Sequence, residues 1–265
     1  MAQEFHEIPS FLEGLFEDKI ELLPSVNELF ELELAYLEYH SLPEDMLLDR
    51  LAYFRSVNGN RTKHFLMYHR DPKALVDGRS GSTKAYFENG VFSTGYATHG
   101  LFPYRGKFHP QLIKALINII GVGEGDVILD PMCGSGTANI EAALMGINSY
   151  AIDLSPFCQF MTEVKYNALS IDPELLRGVS KRSTELFEFF SLGDGGIQDM
   201  LQKIDGVDEL KIYELALLAF LDSLGYSKRV AKSTHLELFT KVLKRYEGTV
   251  VDFIQNSLPY IKNFG

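Results

Sequence analysis

The stretch LDPMCGSGT, Leu129 to Thr137, constrains this chain more than any other. An apolar run that closes on Asp-Pro and turns through two glycines into a helical pattern is a strand-turn-helix junction, and such a junction opens at the end of a sheet. Val127 to Leu129 read as the strand, and Thr137 to Met145 as the helix, closed by Gly146. Tyr150 to Ile152 form a second strand. Ser155 and Pro156 then supply the cap and first turn of a helix reaching about Asn167. The result is a β-α-β-α unit with parallel strands and a right-handed crossover. A helix over Pro110 to Ile120 precedes it, with Leu112, Leu116, Ile119 and Ile120 as its apolar face. The fold class is α/β.

What the glycine turn holds is decided by its neighbours. A Walker loop needs a lysine after the second glycine, and none follows Gly136. A dinucleotide site wants a third small residue where Asn139 stands and sets a pyrophosphate near Asp130, a repulsive pairing. A ligand with a cationic, amine-bearing end and no phosphate suits that carboxylate better. Asp153 closes the second strand twenty-three positions later, near the spacing at which an acidic side chain meets two ribose hydroxyls. Adenosine with a charged amino-acid tail is implied, that is, S-adenosylmethionine. Cys133 fits a tight loop as a small soft side chain with no base beside it in sequence.

These residues carry a family resemblance. LDPMCGSGT followed by AIDLSP resembles motifs I and II of the amino-group methyltransferases that modify nucleic-acid bases. THGLFPYRGKFHPQLIKALI, just before, resembles the segment that precedes motif I in N4-cytosine and N6-adenine DNA methyltransferases and packs on the methionine end of the cofactor. The resemblance spans about Thr98 to Asn167. It implies a Rossmann-like class I methyltransferase core, S-adenosylmethionine as cofactor, and DNA as partner, in a restriction-modification or similar system. The cofactor-binding residues it implies are Tyr104, Lys107, Phe108, His109, Asp130, Pro131, Cys133, Gly134, Ser135, Gly136, Thr137, Asp153 and Leu154. His109 reads equally well as a helix-entry residue.

The second half of the chemistry is missing. An exocyclic amine has its lone pair delocalised into the base, and the resembling families activate it with a Ser/Asp/Asn-Pro-Pro-Tyr tetrapeptide while the base is flipped out of its duplex. No Pro-Pro pair occurs in the chain. The nearest approach is SLPY, giving Ser257, Pro259 and Tyr260 as candidate catalytic residues, although their upstream residues keep a helical period. An RNA guanine-N2 methyltransferase is the alternative in the same chemistry, because DPMCGSGT with IEAA also resembles that group. A catalytically inactive interaction subunit that keeps the fold is the alternative outside it.

Around this unit the sequence divides into an acidic helical region over 1–57, a cofactor-binding part with a basic loop segment over 58–170, and a helical region over 171–265. Helices broken at Pro24 and Pro43 carry Leu29, Leu32, Tyr36 and Tyr39 at helical spacing. From Asn58 to His99, FLMY, AYF and GVF suggest short strands between loops. After Asp172 no convincing strand follows, so the sheet is incomplete; the chain reads as one part of a split methyltransferase or as a protein whose catalytic segment lies beyond residue 265, and a second polypeptide or a second copy is expected to finish the sheet.

The net charge of −11 argues against a protein that coats nucleic acid unaided. Residues 55 to 114 are the one basic stretch, with Arg55, Arg61, Lys63, Arg70, Lys73, Arg79, Lys84, Arg105, Lys107 and Lys114. Cys133 and Cys158 are too few for a disulfide framework and lack metal-ligand spacing. No apolar run reaches membrane-spanning length, and a cytoplasmic location is the expectation.

Overall fold

The computed structural model describes residues 14–23, 25–26, 28–68, 95–191, 201, 204–227 and 234–261. The N-terminal region is not wholly helical, which corrects the reading of 1–57. Strands β1 (Ile20–Leu22), β2 (Phe54–Val57) and β3 (Asn60–Arg61) form an antiparallel sheet in that order, beside helix α1 (Leu29–Ser41). The cause is local. Asn58 and Gly59 both take positive φ, 51° and 79°, the backbone of a two-residue hairpin turn that asparagine and glycine favour. FLMY is helical, not extended: α2 (Lys63–Tyr68) follows Thr62, whose Oγ1 accepts the Phe65 N–H at 3.2 Å. AYF, GVF, Arg70, Lys73, Arg79 and Lys84 lie outside the described residues.

The central unit forms as its pattern requires. Helix α3 (Pro110–Ile119) leads to β4 (Val127–Asp130), α4 (Thr137–Leu144), β5 (Asn148–Ala151) and α5 (Pro156–Asn167). The two strands pair in parallel, Val127 opposite Asn148 and Asp130 opposite Ala151. Side chains alternate across the pleat. Ile128 packs inward with Ile117, Ala142 and Ile147. The other face of the sheet is bare: Leu129 is 58% exposed, Tyr150 68% and Ile152 51%. Among the described residues no third strand joins this sheet.

Helix α3 is rotated away from its expected face. Leu116 and Ile120 are exposed, whereas Gln111, Lys114, Ala115 and Asn118 are buried. Glu38 explains this. It is wholly buried on α1, and its carboxylate accepts the Asn118 side-chain amide at 2.6 Å and the backbone N–H groups of Ala52 at 2.8 Å and Tyr53 at 3.4 Å. Asn118 in turn accepts from Arg50 at 2.8 Å. A buried carboxylate is tolerated only with such partners, so it draws the polar side of α3 inward.

Beyond α5, helices α6 (Ser183–Ser191), α7 (Val207–Ser227) and α8 (His235–Asn256) form the expected helical region. A reciprocal capping box between Thr234 and Glu237 starts α8. The region shares one core with α5 through Met161, Val164, Leu218 and Phe239. Tyr246 donates to Asp222 at 3.1 Å and accepts the Phe102 N–H at 2.8 Å, which anchors the helices to the segment before the glycine turn. No helix among the described residues is long and apolar enough to cross a membrane.

Burial pushes the Glu38 carboxyl up from 4.5 to about 7. The folded chain therefore holds this proton more tightly than the unfolded chain, and stability falls as pH rises from about 4.5 to about 7. Thermal melts across that window should show the parent losing stability relative to Glu38→Gln, which stays neutral. Parallel curves would mean that Glu38 does not titrate there.

Candidate cofactor site

The glycine turn is suspended across the ends of both strands. The Cys133 N–H donates to the Ile152 carbonyl at 2.9 Å, and the Gly136 N–H to the Cys133 carbonyl at 2.7 Å. Asp130 Oδ1 accepts the Met132 N–H at 3.2 Å. Asp153 Oδ1 accepts the Ser155 N–H and Oδ2 the Gly134 N–H, each at 2.9 Å. Those two backbone donors hold the Asp153 carboxyl below the usual carboxylate range. Asp153 thus fixes the turn as well as presenting charge, a role that its position in sequence alone does not reveal. Each of its oxygens keeps a further lone pair for a ligand hydroxyl.

Both glycines are required by geometry. Gly134 has φ +52° and Gly136 φ +74°. A Cβ on Gly134 would stand 3.2 Å from the Tyr104 ring, and one on Gly136 only 2.6 Å from Thr162 Cγ2. Thr162, on α5, supports the turn from below, as does Lys165, whose Nζ donates to the Ser135 carbonyl at 3.4 Å. Burial and the nearby Lys107 charge bring the Lys165 ammonium down to about 7.

Above the turn lies a cavity of about 390 Å³, within the range of small-molecule sites. It gathers Tyr104, Lys107, Phe108, Asp130, Pro131, Cys133, Gly134, Ser135, Thr137, Asp153 and Leu154, residues drawn from three separate stretches of sequence. Gly106, Met132 and Ala138 also line it; they flank the motif positions and carry no distinctive side chain that would single them out in sequence. Cys133, Ser135 and Thr137 are buried, so they contribute mainly backbone. Burial raises the Cys133 thiol above its ordinary range. A larger cavity runs along β5 but touches neither carboxylate, and the chemistry points to the smaller one.

Some expected residues are elsewhere. Gly136 shapes the turn without lining the cavity, and His109 precedes Pro110 at the start of α3, outside it. Ser257, Pro259 and Tyr260 are also outside. Ser257 is buried at the end of α8 and donates to the Met67 carbonyl at 2.7 Å, while Leu258–Tyr260 form a 3₁₀ turn. The basic segment is no continuous phosphate surface among the described residues. Lys114 is buried, Lys107 donates to the His99 carbonyl at 3.0 Å, Arg55 pairs with Glu21 and Lys63 with Asp49.

Residues 101–202 match the model of the UPF0020 family, an RMKL-like methyltransferase domain. The chain is 32% identical over 155 residues to the type II methyltransferase M.MjaII of Methanocaldococcus jannaschii, covering 56% of this chain and 28% of that protein. It is 45% identical over 53 residues to the tRNA (guanine(10)-N2)-dimethyltransferase of Methanothermobacter thermautotrophicus, covering 20% of this chain and 16% of that one. A probable cobalt-precorrin-6B C(15)-methyltransferase (decarboxylating) of Methanococcus maripaludis is 29% identical over 159 residues, covering 57% of this chain and 80% of its own length. No solved structure matches.

Methyltransferases of this family use S-adenosylmethionine, and the cavity suits it: two carboxylates, two aromatic rings and a turn that only glycine can make. Gly136→Ala forces a left-handed alanine into Thr162 and should weaken S-adenosylmethionine binding by roughly tenfold or more. Adding Thr162→Ala should restore part of the loss in a calorimetric titration. Unchanged affinity in the single variant would show that the turn does not shape the site.

Proposed function

We propose that this chain provides the cofactor-binding part of an S-adenosylmethionine-dependent methyltransferase that acts on an exocyclic amine of a DNA base, built on a Rossmann-like class I core and working in the cytoplasm beside a restriction system. The observation that carries this reading is the acidic cavity over the glycine turn. Asp130 and Asp153 at the ends of adjacent parallel strands repel a pyrophosphate and attract a sulfonium and an ammonium.

The chain's own groups have distinct tasks in this reading. Asp153 accepts the two ribose hydroxyls while still holding the Gly134 N–H. Asp130 and the segment Tyr104 to Phe108 face the amino-acid end, with Lys107 available to its carboxylate. The bound cofactor supplies a methyl group on a cationic sulfur. Tyr104, whose ring lies over Gly134, excludes water from that side of the turn. Nothing lining the cavity can accept the hydrogens of an exocyclic amine in the way a Pro-Pro-Tyr segment would, so we expect this chain alone to bind cofactor without transferring methyl groups.

The choice of DNA rests on the breadth of the similarity to the type II methyltransferase, which extends over 155 residues and therefore beyond the cofactor turn. The corrinoid enzyme has a comparably long match at lower identity and indicates how general the cofactor half is. Guanine N2 in RNA is the second reading, favoured by the higher identity of the tRNA enzyme over its shorter match.

Deleting the gene from its native host should remove N4-methylcytosine or N6-methyladenine from one sequence context of genomic DNA and leave tRNA unchanged, as read by mass spectrometry of nucleosides and methylation-sensitive sequencing. Loss of N2-methylguanine from tRNA would favour the second reading. No change in either pool would contradict both.

A further inference from the structure

Lys107 reaches the cavity from a stretch of backbone that is braced from outside. Residues 95–100 are a run of tight turns, and two non-glycine residues in or just after it, Ala97 with φ 49° and Phe102 with φ 56°, are left-handed. Such backbone persists only where its surroundings over-determine it. At the far end the Tyr246 hydroxyl accepts the Phe102 N–H at 2.8 Å. At the near end Glu141, on α4, accepts through one oxygen from the Tyr96 hydroxyl and from His99 Nε2, each at 2.7 Å.

The position of Glu141 makes this brace bear on the cavity. It stands one helical turn after Thr137, the first residue of α4 and part of the cavity wall, so both lie on one side of the helix. His99 and Glu141 are each 1% exposed, and neither lines the cavity. Burial lowers the His99 imidazole even against the opposing carboxylate, which favours a neutral ring that donates from Nε2. A buried polar pair is weak grounds for stability, since apolar side chains of similar volume often serve as well. What this pair fixes is the direction of the His99 carbonyl. That carbonyl accepts from Lys107 Nζ at 3.0 Å, and Lys107 lines the cavity. One of the three ammonium N–H groups is thereby used, which leaves two for a ligand.

We infer that Glu141 and His99 are positioning residues for ligand selectivity: Glu141 orients His99, the His99 carbonyl orients the Lys107 ammonium, and Lys107 reads the carboxylate at the amino-acid end of the cofactor. The pair sets a preference for a ligand that ends in a carboxylate without touching that ligand. This inference rests on the proposed methyltransferase reading, which seats S-adenosylmethionine in the cavity. A pair that merely packed would affect every ligand of the cavity alike.

The test is calorimetric titration of the purified full chain with S-adenosylmethionine and with its decarboxylated analogue, which keeps the adenosine, the sulfonium and the ammonium. The parent should prefer S-adenosylmethionine by about tenfold or more, the worth of one charge-assisted contact, and Lys107→Met should abolish that preference. His99→Leu should lower affinity for S-adenosylmethionine about tenfold and leave affinity for the analogue at the parent value. His99→Gln, whose amide can still donate to Glu141, should restore most of the preference. Glu141→Asp keeps the charge but draws the carboxylate about 1.5 Å away from His99, and it should show the same split as His99→Leu.

Equal losses for both ligands, or an unchanged preference in both His99→Leu and Glu141→Asp, would overturn the inference. So would a preference that survives Lys107→Met. Failure of both His99→Leu and Glu141→Asp to fold, read by circular dichroism, would make the pair part of the core alone and would overturn it too. A parent chain that binds both ligands equally loses only this inference. One that binds neither loses the methyltransferase reading together with it.

Discussion

The bond between the Asp153 carboxylate and the Gly134 N–H holds the site together. It ties the turn after β4 to the end of β5, so that two strand ends, a glycine turn and the start of α4 become one rigid rim. Each neighbouring feature depends on that closure. Tyr104 can lie against Gly134 only because the turn is pinned, and Thr162 supports Gly136 from a helix that begins three residues after Asp153. One carboxylate thereby braces the turn through both oxygens, each of which keeps a further lone pair beside the cavity.

The rim sits on an unfinished platform. A parallel sheet in an α/β protein is normally covered on both faces, and here α4 and its neighbours cover one. The exposed Leu129 and Tyr150 are paired in register, and the exposed Ile152 follows two residues after Tyr150. The helices after α5 do not turn back to cover them. They pack instead on the outer side of α5 and fasten to Phe102 through Tyr246, buttressing the segment that leads into the cavity. The helical region thus supports the segment that leads into the cavity and leaves the face carrying Leu129 and Tyr150 open.

Much of the site was legible because its chemistry is local. Asp-Pro, two glycines and a helix start within nine residues have few alternative conformations, and parallel pairing follows from the crossover. The orientation of α3 was not legible: Asn118 is buried by Glu38, eighty positions away, and an amphipathic pattern cannot report a partner at that distance. The Asn58-Gly59 hairpin carried a local signal, but it lay beside strands too short to show alternation. Composition left the part played by the basic stretch open, since it does not distinguish a lysine such as Lys114, enclosed in the core, from one on the surface. The role of Ser257 as a helix-end donor was likewise invisible until its acceptor on α2 came into contact.

The central claim is that the acidic rim holds a sulfonium nucleoside, and calorimetry of the purified full chain tests it most directly. S-adenosylmethionine should bind with 1:1 stoichiometry. Asp153→Ala should lose most of that affinity, Asp153→Asn should retain part of it through its remaining acceptor, and NAD should give no heat. Binding of NAD in place of S-adenosylmethionine, or full affinity in Asp153→Ala, would contradict the account.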